Sequence, residues 1–174
     1  MERTGLLQIA GTDVTIIGPD IMVGQEAPEF TAQDQDWTFV DVLEATKGKV
    51  RVITALPSLT TSVCDAETRR FNQEAGSLDD NIAIVAISTD LPYTIKNWCA
   101  AAGVDKVMVV SDHFDANFGE KYGTLVKERR ILRRAVFVVD KEGKVVYSAY
   151  MPVLGEQPDY GEVLAAARNA LKNR

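Results

Sequence analysis

Cys64 and Cys99 are the two cysteines of this 174-residue chain, and their types and spacing offer the most chemistry in it. Two thiols are too few for a secreted disulfide scaffold or a four-thiolate zinc site. The single histidine, His113, leaves a Cys/His metal cluster short of ligands as well. Redox chemistry or simple burial remains for the pair. Cys64 follows Leu56-Pro57-Ser58-Leu59-Thr60-Thr61-Ser62-Val63, a segment that leaves a strand and enters a helix. Thr60, Thr61 and Ser62 are all competent caps, which places Cys64 in the first helical turn. Unpaired backbone N–H groups and the positive end of the helix dipole stabilise a thiolate there. The bland alternative is a small apolar side chain packed at a helix start. Glu67 stands three residues after Cys64, so the Cys-x-x-Cys of dithiol exchange is absent. Cys99 lies 35 positions downstream, on a face shared by Ile95, Trp98 and Ala102. A core cysteine and a second redox thiol fit that position equally well.

The elements that must position these thiols follow from periodicity. Val50–Leu56, Ile82–Ser88 and Val107–Val110 read as strands, separated by helices over Cys64–Ala75 and Pro92–Ala102. A short helix over Ala116–Tyr122 leads to strands at Ala135–Val139 and Lys144–Ala149, joined by the turn Asp140-Lys141-Glu142-Gly143. The last helix, Tyr160–Leu171, places Tyr160, Val163, Leu164, Ala167 and Leu171 on one face. Before all this, Val14–Ile17 and Ile21–Val23 flank Gly18-Pro19-Asp20 and suggest a hairpin over about residues 13–24, and Trp37–Leu43 is a weaker strand. The order predicts an α/β, thioredoxin-like fold: a central mixed sheet flanked by helices, extended by the N-terminal hairpin, as one domain over residues 1–174. Reactive groups in such sheets lie beyond the carboxyl ends of the strands, where Cys64 falls.

Charge narrows the partners. Nineteen basic and 25 acidic residues leave −6, which argues against nucleic acid and against an anionic membrane. Lys127-Glu128-Arg129-Arg130-Ile131-Leu132-Arg133-Arg134 is a local exception, with five basic residues against one acid. The remainder sums to −10, so Lys127, Arg129 and Arg130 read as solvated surface. Arg134 alone abuts a strand, and Arg133 stays ambiguous beside it. His113 receives no role, and Trp98 reads as core or dimer-interface packing. No apolar run approaches the ~18 residues of a membrane span. The first residues carry no basic region followed by an apolar stretch, so a cytoplasmic location is expected. Permanent disulfides are disfavoured there.

Pro57-Ser58-Leu59-Thr60-Thr61-Ser62-Val63-Cys64 fits the Pro-x-x-x-Thr/Ser-x-x-Cys pattern, and with it the chain resembles the peroxiredoxins. Asp90-Leu91-Pro92-Tyr93-Thr94-Ile95-Lys96-Asn97-Trp98-Cys99 is similar to the second-cysteine segment of bacterial thiol peroxidases, which are atypical two-cysteine peroxiredoxins. The similarity extends over Val14–Glu29, Ala116–Tyr122, Arg134–Asp140 and Pro158-Asp159-Tyr160. Ser62 departs from the proline expected before Val63-Cys64. The resemblance implies a peroxidatic Cys64 and a resolving Cys99 joined by an intramolecular disulfide. It implies a Thr61 hydroxyl on the thiolate and peroxide, Pro57 as a shield against water, and Arg134 as the active-site arginine. It further implies reduction by thioredoxin and a homodimer; no cofactor or metal is expected. A peroxide-sensing relay that passes oxidation to a partner protein is the alternative.

The implied reaction is attack of a thiolate on a peroxide oxygen, giving a sulfenic acid and water or an alcohol; a second thiol then closes a disulfide. Lowering a thiol pKa from about 8.5 to about 6 raises its ionised fraction about 30-fold at neutral pH. Lost nucleophilicity takes back about tenfold of that. The larger effect must come from orienting the peroxide and stabilising the departing oxygen, a task that suits Thr61 and Arg134. A Cys99 buried on a helix face would need local unwinding to reach Cys64. The disulfide would then restrict the unfolded chain by about 3–4 kcal/mol.

Overall fold

The computed structural model describes residues 1–75 and 77–172. The elements run β1 (Glu2–Arg3), β2 (Gln8–Ile9), β3 (Thr12–Asp13), β4 (Ile16–Ile17), β5 (Thr31–Gln33), β6 (Phe39–Asp41), α1 (Val42–Ala45), β7 (Val50–Ala55) and α2 (Ser62–Ala75). Then follow β8 (Ile82–Ser88), α3 (Pro92–Ala102), β9 (Met108–Ser111), α4 (Asn117–Lys121), β10 (Leu125–Val126), β11 (Ile131–Leu132), β12 (Ala135–Val139), β13 (Val145–Tyr150) and α5 (Tyr160–Lys172). The seven-stranded sheet has the order β13-β12-β7-β8-β9-β5-β6. Its centre, β7-β8-β9, is parallel, and both flanks are antiparallel. This is the thioredoxin-like mixed sheet that the alternation of strands and helices predicts.

Period-two alternation sorts the sheet residues between two cores. Val50, Val52 and Leu56, with Val136 and Val138, pack against Phe71 of α2, Ile95 of α3 and Val163 and Ala167 of α5. Ile53, Ala55, Phe137 and Val139 face the opposite core, with Phe30, Phe118 and Tyr122. A residue's parity on β7 or β12 therefore decides which helices it meets, and this places the site.

The N-terminal region differs from the expected hairpin over residues 13–24. The hairpin that forms is β2-β3, with Ala10 and Gly11 both at positive φ in its two-residue turn. Ile16 and Ile17 pair instead with β1 and β10, in a four-stranded sheet ordered β1-β4-β10-β11. Gly18-Pro19-Asp20 does not fold back, because it runs against the α4 end. A Cβ on Gly18 would lie 2.0 Å from the Glu120 carbonyl oxygen, and one on Gly123 would lie 2.3 Å from that of Pro19. Ile21 then takes side-chain partners in place of a strand: Tyr150 Oη accepts from its N–H at 2.7 Å, and Ser148 Oγ donates to its carbonyl at 2.8 Å. The Trp37–Leu43 strand is also shorter than expected. Trp37 sits in a turn at φ 66°, only Phe39–Asp41 is extended, and Val42 begins α1. The Glu29 carboxylate accepts from the Leu43 and Glu44 N–H groups, both at 2.9 Å, and so caps that short helix from outside it.

Candidate active site

Strand β7 ends at Ala55, and the chain crosses Pro57–Thr61 before α2 begins at Ser62. Thr61 caps the helix: its Oγ1 accepts from the Cys64 N–H at 3.3 Å and donates to the Ser58 carbonyl at 3.1 Å. Cys64 is thus in the first turn, as its cap residues predict, and it is fully buried. Its sulfur accepts a hydrogen bond from Arg134 Nη2 at 3.1 Å. Arg134 precedes β12, which runs antiparallel to β7, so its side chain returns to the edge where β7 ends. Its even parity, shared with Val136 and Val138, turns it to the α2 side.

Arg134 is held at all three nitrogens. Nη1 donates to Glu67 Oε1 at 3.2 Å and Nε to the Leu154 carbonyl at 3.2 Å. Glu67 lies one turn beyond Cys64, fully buried, and its second oxygen accepts from Thr54 Oγ1 at 2.6 Å. Burial pushes the Glu67 carboxyl up, and Thr54 and Arg134 oppose that shift. The result is a buried arginine whose charge is balanced at the back and whose front N–H addresses sulfur. Pro57, Thr61, Val63, Arg134, Leu154 and Gly155 enclose a cavity of about 120 Å³ beside it. Pro57, Val63 and Leu154 make its walls apolar, while Thr61 and Arg134 are its polar side chains.

Arg133 belongs to the other face. It ion-pairs with Asp20, donates to the Gly123 carbonyl at 3.0 Å and stacks on Tyr150 at 4.0 Å. It fastens the N-terminal region to the sheet, away from Cys64. Lys127, Arg129 and Arg130 are exposed, as the charge run suggests. His113 pairs with Gln33 Oε1 at 2.6 Å, in the loop after β9.

Cys99 is a free thiol buried in α3, within the core that also contains Cys64. Burial pushes its pKa up to about 11. Its small exposed part faces a groove of about 510 Å³ lined by Gln35, Lys96, Ala100, Gly103, Val104 and Asp105. That groove shares no lining residue with the cavity beside Arg134. The Asp90 carboxylate before α3 holds the Cys64 loop, accepting from Ser58 Oγ at 2.7 Å and the Leu59 N–H at 2.8 Å. Ser88 Oγ also donates to it at 2.7 Å.

Glu67, Thr54 and the Leu154-Gly155 loop were not among the sequence candidates. One signal for Glu67 was available: Cys64, Glu67, Thr68 and Phe71 stand at helical spacing on one buried face, and a buried carboxylate needs a cation. Among the described residues, no group of three or more His, Cys, Asp or Glu side chains is placed to hold a metal ion.

A thiol under an arginine at a helix start, on a thioredoxin-like sheet, is the arrangement of a thiol redox enzyme. Comparison with known proteins agrees. The Redoxin family profile matches residues 22–164. A thiol peroxidase of Oceanobacillus iheyensis is 48% identical over 152 residues, covering 87% of this chain and 92% of that protein. One from Bacillus subtilis is 44% identical over 162 residues, covering 93% and 96%. Among solved structures, a peroxiredoxin-like protein from Aquifex aeolicus superposes with a TM-score of 0.85 at 34% identity, covering 96% of this chain and 98% of that one. The chain belongs to the Redoxin family, among its thiol peroxidases, and its activity is thiol-dependent reduction of peroxides.

Proposed function

We propose that Cys64 attacks the peroxide and that Cys99 resolves the resulting sulfenic acid as an internal disulfide, which thioredoxin then reopens. The observation that carries this reading is the Arg134 Nη2 to Cys64 Sγ contact at 3.1 Å, beside a cavity that Thr61 and Pro57 help to close. A thiolate at Cys64 is paired with fixed positive charge, and the same guanidinium can follow charge onto the departing oxygen. Thr61 holds the loop and offers its hydroxyl to the bound peroxide. Pro57, with Val63 and Leu154, keeps water from competing. The oxidation consumes one thiolate, one proton and one peroxide, forms an S–O bond as the O–O bond breaks, and yields Cys64–SOH with water or an alcohol. Condensation with the Cys99 thiol then releases water and forms the Cys64–Cys99 bond.

Further parts of the reading rest on other features. An exposed aromatic cluster, with Trp37 against Tyr93 at 4.9 Å and Phe39 against Phe114 at 5.3 Å, suits the contact surface of a homodimer. The sheet running from Thr31 to Tyr150 supports one domain over the chain. Among the described residues no helix is long and apolar enough to cross a membrane, in keeping with work in the cytoplasm. Coupled turnover with thioredoxin, its reductase and NADPH tests the cycle. Reductant should be consumed one for one with peroxide over many turnovers. A single turnover that stalls until another protein accepts the disulfide would instead support the sensing relay.

A further inference from the structure

The residues next to the two thiols are bonded to each other, although the thiols are not. Asp65 follows Cys64 on α2, and its Oδ1 accepts from the indole Nε1–H of Trp98, which precedes Cys99 on α3, at 2.9 Å. Asp65 Oδ2 accepts from Arg69 Nε at 2.8 Å. The Arg69 guanidinium lies 5.9 Å from the Trp98 ring centroid, and its Nη1 reaches the Ala102 carbonyl at 3.4 Å. Asp90 ties the other end of α3 to the loop before Cys64. The helix that carries Cys99 is therefore pinned to the Cys64 region near both ends, by a carboxylate each time.

We propose that Asp65, Trp98 and Arg69 form a latch that sets the rate of disulfide closure, independently of the rate of peroxide attack. It rests on the reading that Cys64 is oxidised and Cys99 resolves it. Both thiols are buried and unbonded, and only Cys99 opens onto the groove beside α3, so the indole–carboxylate bond is the tie that must break before the two helix turns can bring them together. Latch release is then a step between Cys64–SOH and the disulfide. A sulfenic acid that waits is exposed to a second peroxide, which converts it to a sulfinic acid and releases water or an alcohol. Latch strength thus sets how the sulfenate divides between disulfide and sulfinic acid. Asp65, Trp98 and Arg69 make no hydrogen bond to either sulfur and do not line the cavity beside Arg134, so they act as positioning residues.

Trp98→Phe keeps the ring and removes the donor, and Asp65→Ala removes the acceptor and frees Arg69. Rapid acid quench followed by intact mass reports dithiol, sulfenate, disulfide and sulfinate together as peroxide is raised. Both variants should consume dithiol within about twofold of the wild-type rate. Their disulfide should close threefold or more faster, and the sulfinate-to-disulfide ratio at a given peroxide should fall by the same factor. That ratio is independent of how much protein is folded, so a merely destabilised variant does not mimic the result. An unchanged or raised ratio in Trp98→Phe overturns the latch. A wild type that never forms an internal disulfide overturns the underlying assignment instead.

Discussion

Arg134 spends each nitrogen on a different partner: sulfur, carboxylate and backbone carbonyl. Such a cation should act chiefly on the transition state. Arg134→Ala should slow Cys64 oxidation by about 10²–10³-fold. Most of that loss should persist in Arg134→Lys, which keeps a charge but not the fork of donors; full recovery of the stopped-flow rate there would show that charge alone was at stake. Glu67→Ala leaves the arginine buried without its counter-charge and should cost about 3–5 kcal/mol in denaturant unfolding. Cys99 carries a pH signature. Its folded pKa, about 11, stands above the ordinary value of 9.0, so its ionisation opposes folding. Its contribution is complete below about pH 9 and is lost as pH rises through about 11. Wild type should therefore lose stability relative to Cys99→Ser across that window, and a constant difference in urea midpoint would contradict this. Cys64, Thr61 and Arg134 were legible as residue types at a spacing. Choosing Arg134 over Arg133 needed the strand's parity together with knowledge of which face α2 covers, and only the second was hidden from the sequence.

At the scale of elements, the long strands and helices follow from composition. β8 is seven residues long and apolar up to its closing Ser88, and α3 opens on Pro92 and closes on Gly103 at φ 69°. The two-residue strands β1 to β3 were illegible, because so short a segment carries no period; β4 falls within the Val14–Ile17 strand read from the sequence, but its partners, Leu125 and Val126 for Ile17 and Ile16, lie far along the chain. The Asp90 clamp was hidden for the same reason: its donors Ser58 and Leu59 are 32 and 31 residues away. Its function can be read from exchange. Asp90→Ala should lower amide protection across Ser58–Thr61 and the first turn of α3, while β7 stays protected. Closing the disulfide should deprotect the cysteine-bearing turns of α2 and α3 in the same way. Equal protection in dithiol and disulfide forms would mean that the thiols meet without unwinding.

The whole molecule places its chemistry at one edge of the sheet, where β7 ends and the antiparallel β12 begins, as open α/β sheets do. The aromatic cluster around Trp37 and Tyr93 does not line the cavity beside Arg134, so assembly and catalysis should separate. Tyr93→Asp should shift sedimentation from dimer to monomer while Cys64 still oxidises at its normal rate; a wild type that sediments as a monomer would remove that surface from consideration. The division of labour between the thiols is the central claim, and intact mass after one equivalent of peroxide tests it most directly. Wild type should lose two hydrogens, Cys99→Ser should gain one oxygen at Cys64, and Cys64→Ser should remain unchanged. An oxygen gained at Cys99 in Cys64→Ser, with Cys99→Ser inert, would reverse the roles and contradict the account.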